Sequence, residues 1–186
     1  MKFKIKNLAG FTMIELLIVI AVLGILAVAV ISAINPIEQI NRSYDTGSRS
    51  DAEQMIGALD RFYASKQYYA WQGGATDTVN VVNGNLQPVG QTALTNTMLV
   101  NLSGATGELK DAFITKVSSS KYNWLYVYNK GGTNNSTYVC FMPKSNTFKD
   151  DATKRCEGGL PSDVTDISDD VCNHGASINN SMACLP

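Results

Sequence analysis

The sequence predicts an α+β protein. A long N-terminal α-helix, membrane-spanning in its first half, packs on a small antiparallel β-sheet domain with a disulfide-stabilised C-terminal loop. Three observations predict it. Residues 16–34 are nineteen positions without a charge, nearly all Ile, Val, Leu or Ala. Residues 37–63 then repeat apolar side chains at helical spacing. Beyond them, two runs of β-formers flank a glycine-containing turn, and all four cysteines follow residue 139.

The apolar run has the length of a membrane span. At 1.5 Å rise per residue it makes about 28 Å of helix, close to the hydrocarbon thickness of a bilayer. It has no proline, so its backbone bonds can all close internally, as lipid requires. Apolar residues on every face equally suit burial among identical helices. Lys2, Lys4 and Lys6 precede the run with no acid among them, which holds that end in the cytoplasm. A secretory signal would be cut after its apolar region, at small residues. Here the small residue lies before it, at Gly10. Glu15 is the one charge near the start of the run, and a carboxylate in a membrane helix costs roughly 2.5 kcal/mol or more. Such a group is normally kept for a function.

Gly10-Phe11-Thr12-Met13-Ile14-Glu15 behind a basic leader resembles the N-terminus of type IV prepilin-like proteins, the superfamily that includes type II secretion pseudopilins. The resemblance implies that a membrane prepilin peptidase cuts between Gly10 and Phe11 and that the new Phe11 amine is methylated. It implies that Glu15, fifth in the mature chain, meets the terminal amine of a neighbouring subunit in a filament. A buried charge becomes tolerable when paired, and pairing also fixes register. The implied partners are further copies of the chain, the peptidase and methyltransferase, a pilus assembly platform, and membrane lipid before assembly. The alternatives are a plain N-terminal anchor with a basic flank, and a protonated or snorkelling glutamate. Gly24 fits the small residues that let membrane helices approach closely. Many relatives have a proline where this chain has Ser32, whereas Pro36 comes about one turn later. Asn35-Pro36 is either a kink or a break.

Four segments follow: a leader over 1–10, a transmembrane and filament-core helix over 11–34, its amphipathic continuation over 35–66, and a globular β-sheet domain over 67–186. In the continuation, Glu38 with Arg42 and Asp45 with Arg49 stand four apart as exposed ion pairs. Gly47 and Gly57 weaken the helix, and Thr46-Gly47-Ser48 is the expected bend. A helix running from Thr12 to Ala64 would span roughly 80 Å.

In the globular part, strands are predicted at 79–82, 121–128 and 136–142. Thr106 to Phe113 reads as a helical turn or loop. Tyr122, Trp124, Tyr126 and Tyr128 alternate on one face of the second strand, with Leu125 and Val127 on the other. They read as cross-strand packing before a sugar-stacking surface. Cys140, Cys156, Cys172 and Cys184 allow three pairings. Short loop closure alone favours Cys140–Cys156 and Cys172–Cys184, holding down a segment poor in apolar residues after Phe148. Many type IV pilins have such a disulfide-bounded loop. Zinc is disfavoured, because no Cys-x-x-Cys occurs and His174 is the only histidine. Ser162 to Asp170, with Asp150 and Asp151, offers oxygen ligands for calcium. Pseudopilins carry calcium in a comparable loop, although the spacing matches no EF-hand. No cofactor is otherwise called for.

No phosphate-cradling loop, metalloprotease helix or nucleophile elbow is found, so no enzyme is expected. The net charge of −1 becomes −4 without the three leader lysines, since 12 basic side chains then face 16 acidic ones. That balance does not indicate nucleic-acid binding. The Asn-x-Ser/Thr triplets are those expected by chance in a chain rich in Asn. The predicted function is a type IV pilus subunit for adhesion, motility or DNA uptake. A type II secretion pseudopilin and a non-polymerising membrane-anchored adhesin are the alternatives. The expected location is a single-pass membrane precursor with a cytoplasmic N-terminus, then a cell-surface pilus.

Overall fold

The structure is a computed structural model that describes residues 10–33, 35–77, 85–119, 122–131, 135–173 and 181–186. The chain divides into two compact units, one ending at Ile37 and the other running Glu38–Pro186. The first unit holds helix α1, Met13–Ala33. Helix α2 is Pro36–Lys66. The sequence left open whether Pro36 bends or breaks the helix, and the helical assignment is interrupted here, with Asn35 outside both helices. Proline biases the preceding residue away from helix and is itself well placed at a helix's first position, where its missing N–H costs nothing.

Helix α2 is not interrupted at Thr46-Gly47-Ser48, where a bend was expected. Thr46 donates to the Arg42 carbonyl at 2.8 Å and Ser48 to that of Tyr44 at 3.1 Å. Tertiary contacts around Asp45 and Ser48, both buried, outweigh the glycine's weak helix propensity.

The second unit is built on a four-stranded antiparallel meander. Its strands are β1 (Gln87–Pro88), β2 (Leu125–Asn129), β3 (Thr137–Phe141) and β4 (Ala183–Leu185). Leu125 faces Phe141, Val127 faces Val139 and Asn129 faces Thr137. Asn129 Nδ2 donates to Thr137 Oγ1 at 2.8 Å at the end of this ladder, and residues 132–134 of the expected hairpin loop lie outside the described residues. Neither edge strand was foreseen. Pro88 sits in β1, where an edge position tolerates a residue without an N–H. The strand predicted at 79–82 lies outside the described residues. Helices α3 (Ala93–Val100, extended by a π-helical turn to Ala105) and α4 (Asp111–Val117) connect β1 to β2. A capping box between Thr92 and Thr95 starts α3.

Each face of the sheet has its own core. Leu125, Val127, Val139 and Phe141 pack with Ala52, Met55, Ala58, Leu59 and Phe62 of α2, and with Met98 and Leu102. The predicted docking of the amphipathic helix is thus observed from Ala52 to Phe62, while Ile37, Ile40, Tyr44 and Tyr63 of the expected face are exposed. On the other side, Tyr128, Tyr138 and Cys140 pack with Val164, Ile167, Val171 and Met182. This outer layer is largely helical rather than a loop, with α5 (Asn146–Glu157), a 3₁₀ turn (Thr165–Ile167) and α6 (Ser168–Cys172).

The disulfides correct the expected pairing: they are Cys140–Cys184 and Cys156–Cys172. Loop length discriminates poorly, since doubling a loop costs only about 0.6 kcal/mol. Sheet register decides instead. Cys140 and Cys184 are directly opposed on β3 and β4, with Cα atoms 4.0 Å apart. Cys156 and Cys172, near the ends of α5 and α6, then join those helices across 16 residues. In the chain-entropy account a loop of that length contributes about 3 kcal/mol. Replacing both Cys156 and Cys172 by serine should therefore lower stability by about 3 kcal/mol in thermal melts. Peptide mapping should still recover the Cys140–Cys184 link.

Candidate assembly site

The site begins at Gly10 and Phe11, which are exposed and precede the first helical turn. A peptidase needs an extended, accessible backbone, and the predicted scissile bond lies outside α1. Lys2, Lys4 and Lys6 lie outside the described residues. Thr12 is the helix N-cap, its carbonyl accepting the first helical bond from Leu16 at 3.2 Å. Its hydroxyl receives the Glu15 N–H at 3.3 Å, while Glu15 accepts from the Thr12 N–H at 2.9 Å and hydroxyl at 2.7 Å. This is a reciprocal capping box, which the Thr-x-x-Glu spacing encodes. Within one chain, the Glu15 carboxylate therefore has a local partner at the mouth of the helix.

Among the described residues, nothing covers the apolar surface that follows. Met13–Ser32 has a mean hydropathy of 3.1, and none of this window is buried inside the protein. A Cβ added at Gly24 would meet no atom within 4 Å, so nothing in its own chain crowds the position. Lipid or other helices must satisfy this surface.

The second unit carries a polar anchor that sequence reasoning missed. Asp45 was expected to pair with Arg49 on a solvated face. It is instead fully buried. It accepts the N–H groups of Lys144 and Ser145 at 2.9 and 2.7 Å, and the Ser145 hydroxyl at 2.6 Å. Arg49 pairs with Glu53 at 3.2 Å. Glu38 makes the expected contact with Arg42 at 3.2 Å and also accepts the Asn146 N–H at 3.1 Å. Two carboxylates seven residues apart on α2 thus grip the start of α5. The Asn146 N–H, ahead of the Arg42 charge, holds the Glu38 carboxyl below the usual range. The available signals were this spacing and the N-cap character of Ser145.

The acidic stretch in the outer layer is engaged with protein groups. Asp163 accepts from Ser136 N–H at 3.1 Å and Tyr138 Oη at 2.9 Å, and Asp166 pairs with Lys130 at 3.0 Å. Asp150 and Asp151 lie on α5. Among the described residues no group of three or more His, Cys, Asp or Glu side chains could hold a metal ion. His174 lies outside them. Burial pushes the Asp163 carboxyl up, but the Ser136 and Tyr138 hydrogen bonds outweigh it and leave it lowered. Burial, then the bond to Asp163, raises the Tyr138 phenol to about 12. The signs follow by linkage. The lowered carboxyl gives stability at neutral pH that is lost as acid protonates it. The raised phenol gives stability that fades as pH climbs from the ordinary tyrosine range through about 12. Tyr138→Phe should cost about 1–2 kcal/mol at neutral pH. It should also remove the phenol's share of the alkaline loss, which urea midpoints measured across pH will show.

Comparison with known proteins agrees with the N-terminal geometry. Residues 5–31 match the family model of the prokaryotic N-terminal methylation motif. That motif is the signature of type IV pilin and prepilin-like proteins, pseudopilins included. No curated protein and no solved structure matches the chain. Proteins with this signature are generally structural rather than enzymatic. The motif implies processing by prepilin peptidase and, in general, polymerisation.

Proposed function

We propose that this chain is the structural subunit of a type IV pilus. It would be held in the membrane as a precursor with a cytoplasmic N-terminus, cut between Gly10 and Phe11, methylated at Phe11 and packed helix to helix. The observation that carries the reading is the methylation motif over residues 5–31, joined to an apolar helix that the described residues leave bare. The outer layer, with Cys156–Cys172 inside it and Cys140–Cys184 in the sheet beneath, supports a pilus subunit, because an exported domain can keep disulfides and a surface-exposed fibre gains from a covalently secured coat. A pseudopilin shares the same N-terminal logic and would form a short periplasmic rod.

Shearing cells and imaging the released material separates these readings. Long fibres containing this chain, with mass spectrometry giving a mature start at methylated Phe11, are expected. A normally processed chain with no sheared fibres and a secretion defect on deletion would assign it to the pseudopilins. A processed chain that stays monomeric in the membrane would make it an anchored adhesin.

A further inference from the structure

The aromatic run predicted on one strand divides in two, since β2 begins at Leu125 and leaves Tyr122 and Trp124 ahead of it. Tyr128 is fully buried beneath the outer layer, and Tyr126 packs at that layer's margin. The layer stops there. Trp124 remains 40% exposed and Tyr122 48% exposed. With Asn123, Met142 and Lys144 these rings line an open groove of about 250 Å³. Its shape is fixed from behind. Asn123 Nδ2 donates to the Met142 carbonyl at 2.5 Å, and the Lys144 backbone is held by Asp45. The groove is smaller than drug-sized pockets of roughly 300 Å³ and above, which suits one sugar ring.

The charges around the groove are unequal. Lys116 lies 5.8 Å from the centre of the Tyr122 ring, but Asp51 neutralises it at 2.6 Å. The Lys144 ammonium sits 4.9 Å from the centre of the Tyr44 ring, and no carboxylate among the described residues pairs with it. Exposed flat rings stack on the C–H face of a pyranose and bury it from water. A single unpaired ammonium beside them selects a negative substituent. Single-stranded nucleic acid also stacks on aromatics, but it requires a basic track. One lysine at this groove, in a chain whose side chains total −4 once the three leader lysines are removed, does not supply one.

We propose that the groove of Tyr122, Trp124, Tyr126 and Lys144 binds the terminal residue of an acidic saccharide, with the ring on Trp124 and the carboxylate on Lys144. This holds whether or not the chain polymerises. The test uses the full mature chain in detergent micelles, with saturation-transfer NMR and tryptophan fluorescence as readouts. The probes are sialyllactose, a glucuronate-terminated disaccharide, lactose and a thymidine oligonucleotide. At least one acidic sugar should bind more tightly than lactose, and the two acidic arms distinguish a sialic from a uronic acid. Trp124→Ala should weaken that binding about tenfold or more, as loss of a stacking ring does. Trp124→Tyr should keep most of it, which guards against a misfolded alanine variant. Lys144→Gln should erase the preference for acid while leaving residual lactose binding. The proposal is overturned if no sugar shows saturation transfer, if acidic-sugar binding survives Trp124→Ala in a folded chain, or if the oligonucleotide binds more tightly than either acid.

Discussion

Glu15→Ala should leave leader cleavage intact and reduce sheared fibre to background. In the proposed function the peptidase reads the junction at Gly10 and Phe11, which lies outside α1, ahead of the turn that carries the carboxylate. Assembly does depend on it in the proposed function. Packing α1 among copies of itself takes Glu15 out of water, and an unpaired buried charge there costs several kcal/mol. A neighbour's amino terminus relieves that cost in one register only, so the residue would select register as well as permit burial.

The capping box supplies a competing account. Thr12 and Glu15 satisfy each other at the start of α1, and losing a cap costs roughly 1 kcal/mol. Glutamine separates the two roles, because it can complete a capping box without carrying charge. Glu15→Gln should therefore fail in assembly almost as badly as Glu15→Ala. Thr12→Val, which removes the hydroxyl and keeps the charge, should still form fibres. Filament yield after shearing, set against the ratio of mature to precursor protein on gels, measures both steps. Normal fibres from Glu15→Gln would reduce Glu15 to a helix cap.

The helix that carries Glu15 was legible in the sequence because its pattern is local. Nineteen uncharged, mostly apolar residues favour a helix, whereas the Thr12–Glu15 capping box, written in four positions, went unread. The amphipathic face of α2 was legible for the same reason, since period and composition are local. What escaped was fixed by distant partners. Nothing near Asp45 says that its acceptors will be filled by Lys144 and Ser145, about a hundred positions on. Spacing of four to Arg49 looked sufficient. Strand β4 has three residues and no alternation to announce it, yet its register on β3 dictates the Cys140–Cys184 bond. The 146–172 segment is sparse in apolar residues and so read as a tethered loop. Its helices are held by caps, a disulfide and a few buried side chains such as Val164, Ile167 and Val171. The strand predicted from Lys121 starts only at Leu125, so the alternation applies to Tyr126 and Tyr128, and whether a ring is covered depends on how far the outer layer extends.

Asp45→Ala should be the most destabilising polar substitution in the second unit. The carboxyl is fully buried and accepts from two backbone N–H groups and one hydroxyl. Alanine leaves three donors without their acceptor, two of them on buried Ser145, and each buried orphan costs about 1–3 kcal/mol. Partial relaxation brings the sum to about 3–5 kcal/mol, the range for breaking a buried charged contact. For a domain of this size that lowers the melting temperature by roughly 6–20 °C. Ser145 is both a donor to Asp45 and the N-cap of α5, with its Oγ accepting from Phe148 N–H at 3.4 Å. Losing Asp45 should therefore fray α5 first, visible as faster hydrogen exchange at Phe148 and Lys149. Glu38, one contact further along the same helix start, should show a weaker effect in the same place. Its share should fade as pH falls, because the lowered carboxyl must take up a proton. Asp45→Asn keeps one acceptor oxygen and should fall between wild type and alanine. An alanine variant that melts within about 1 °C of wild type, far inside the expected shift, would mean that solvent replaces these contacts and that the α2–α5 anchor is not structural.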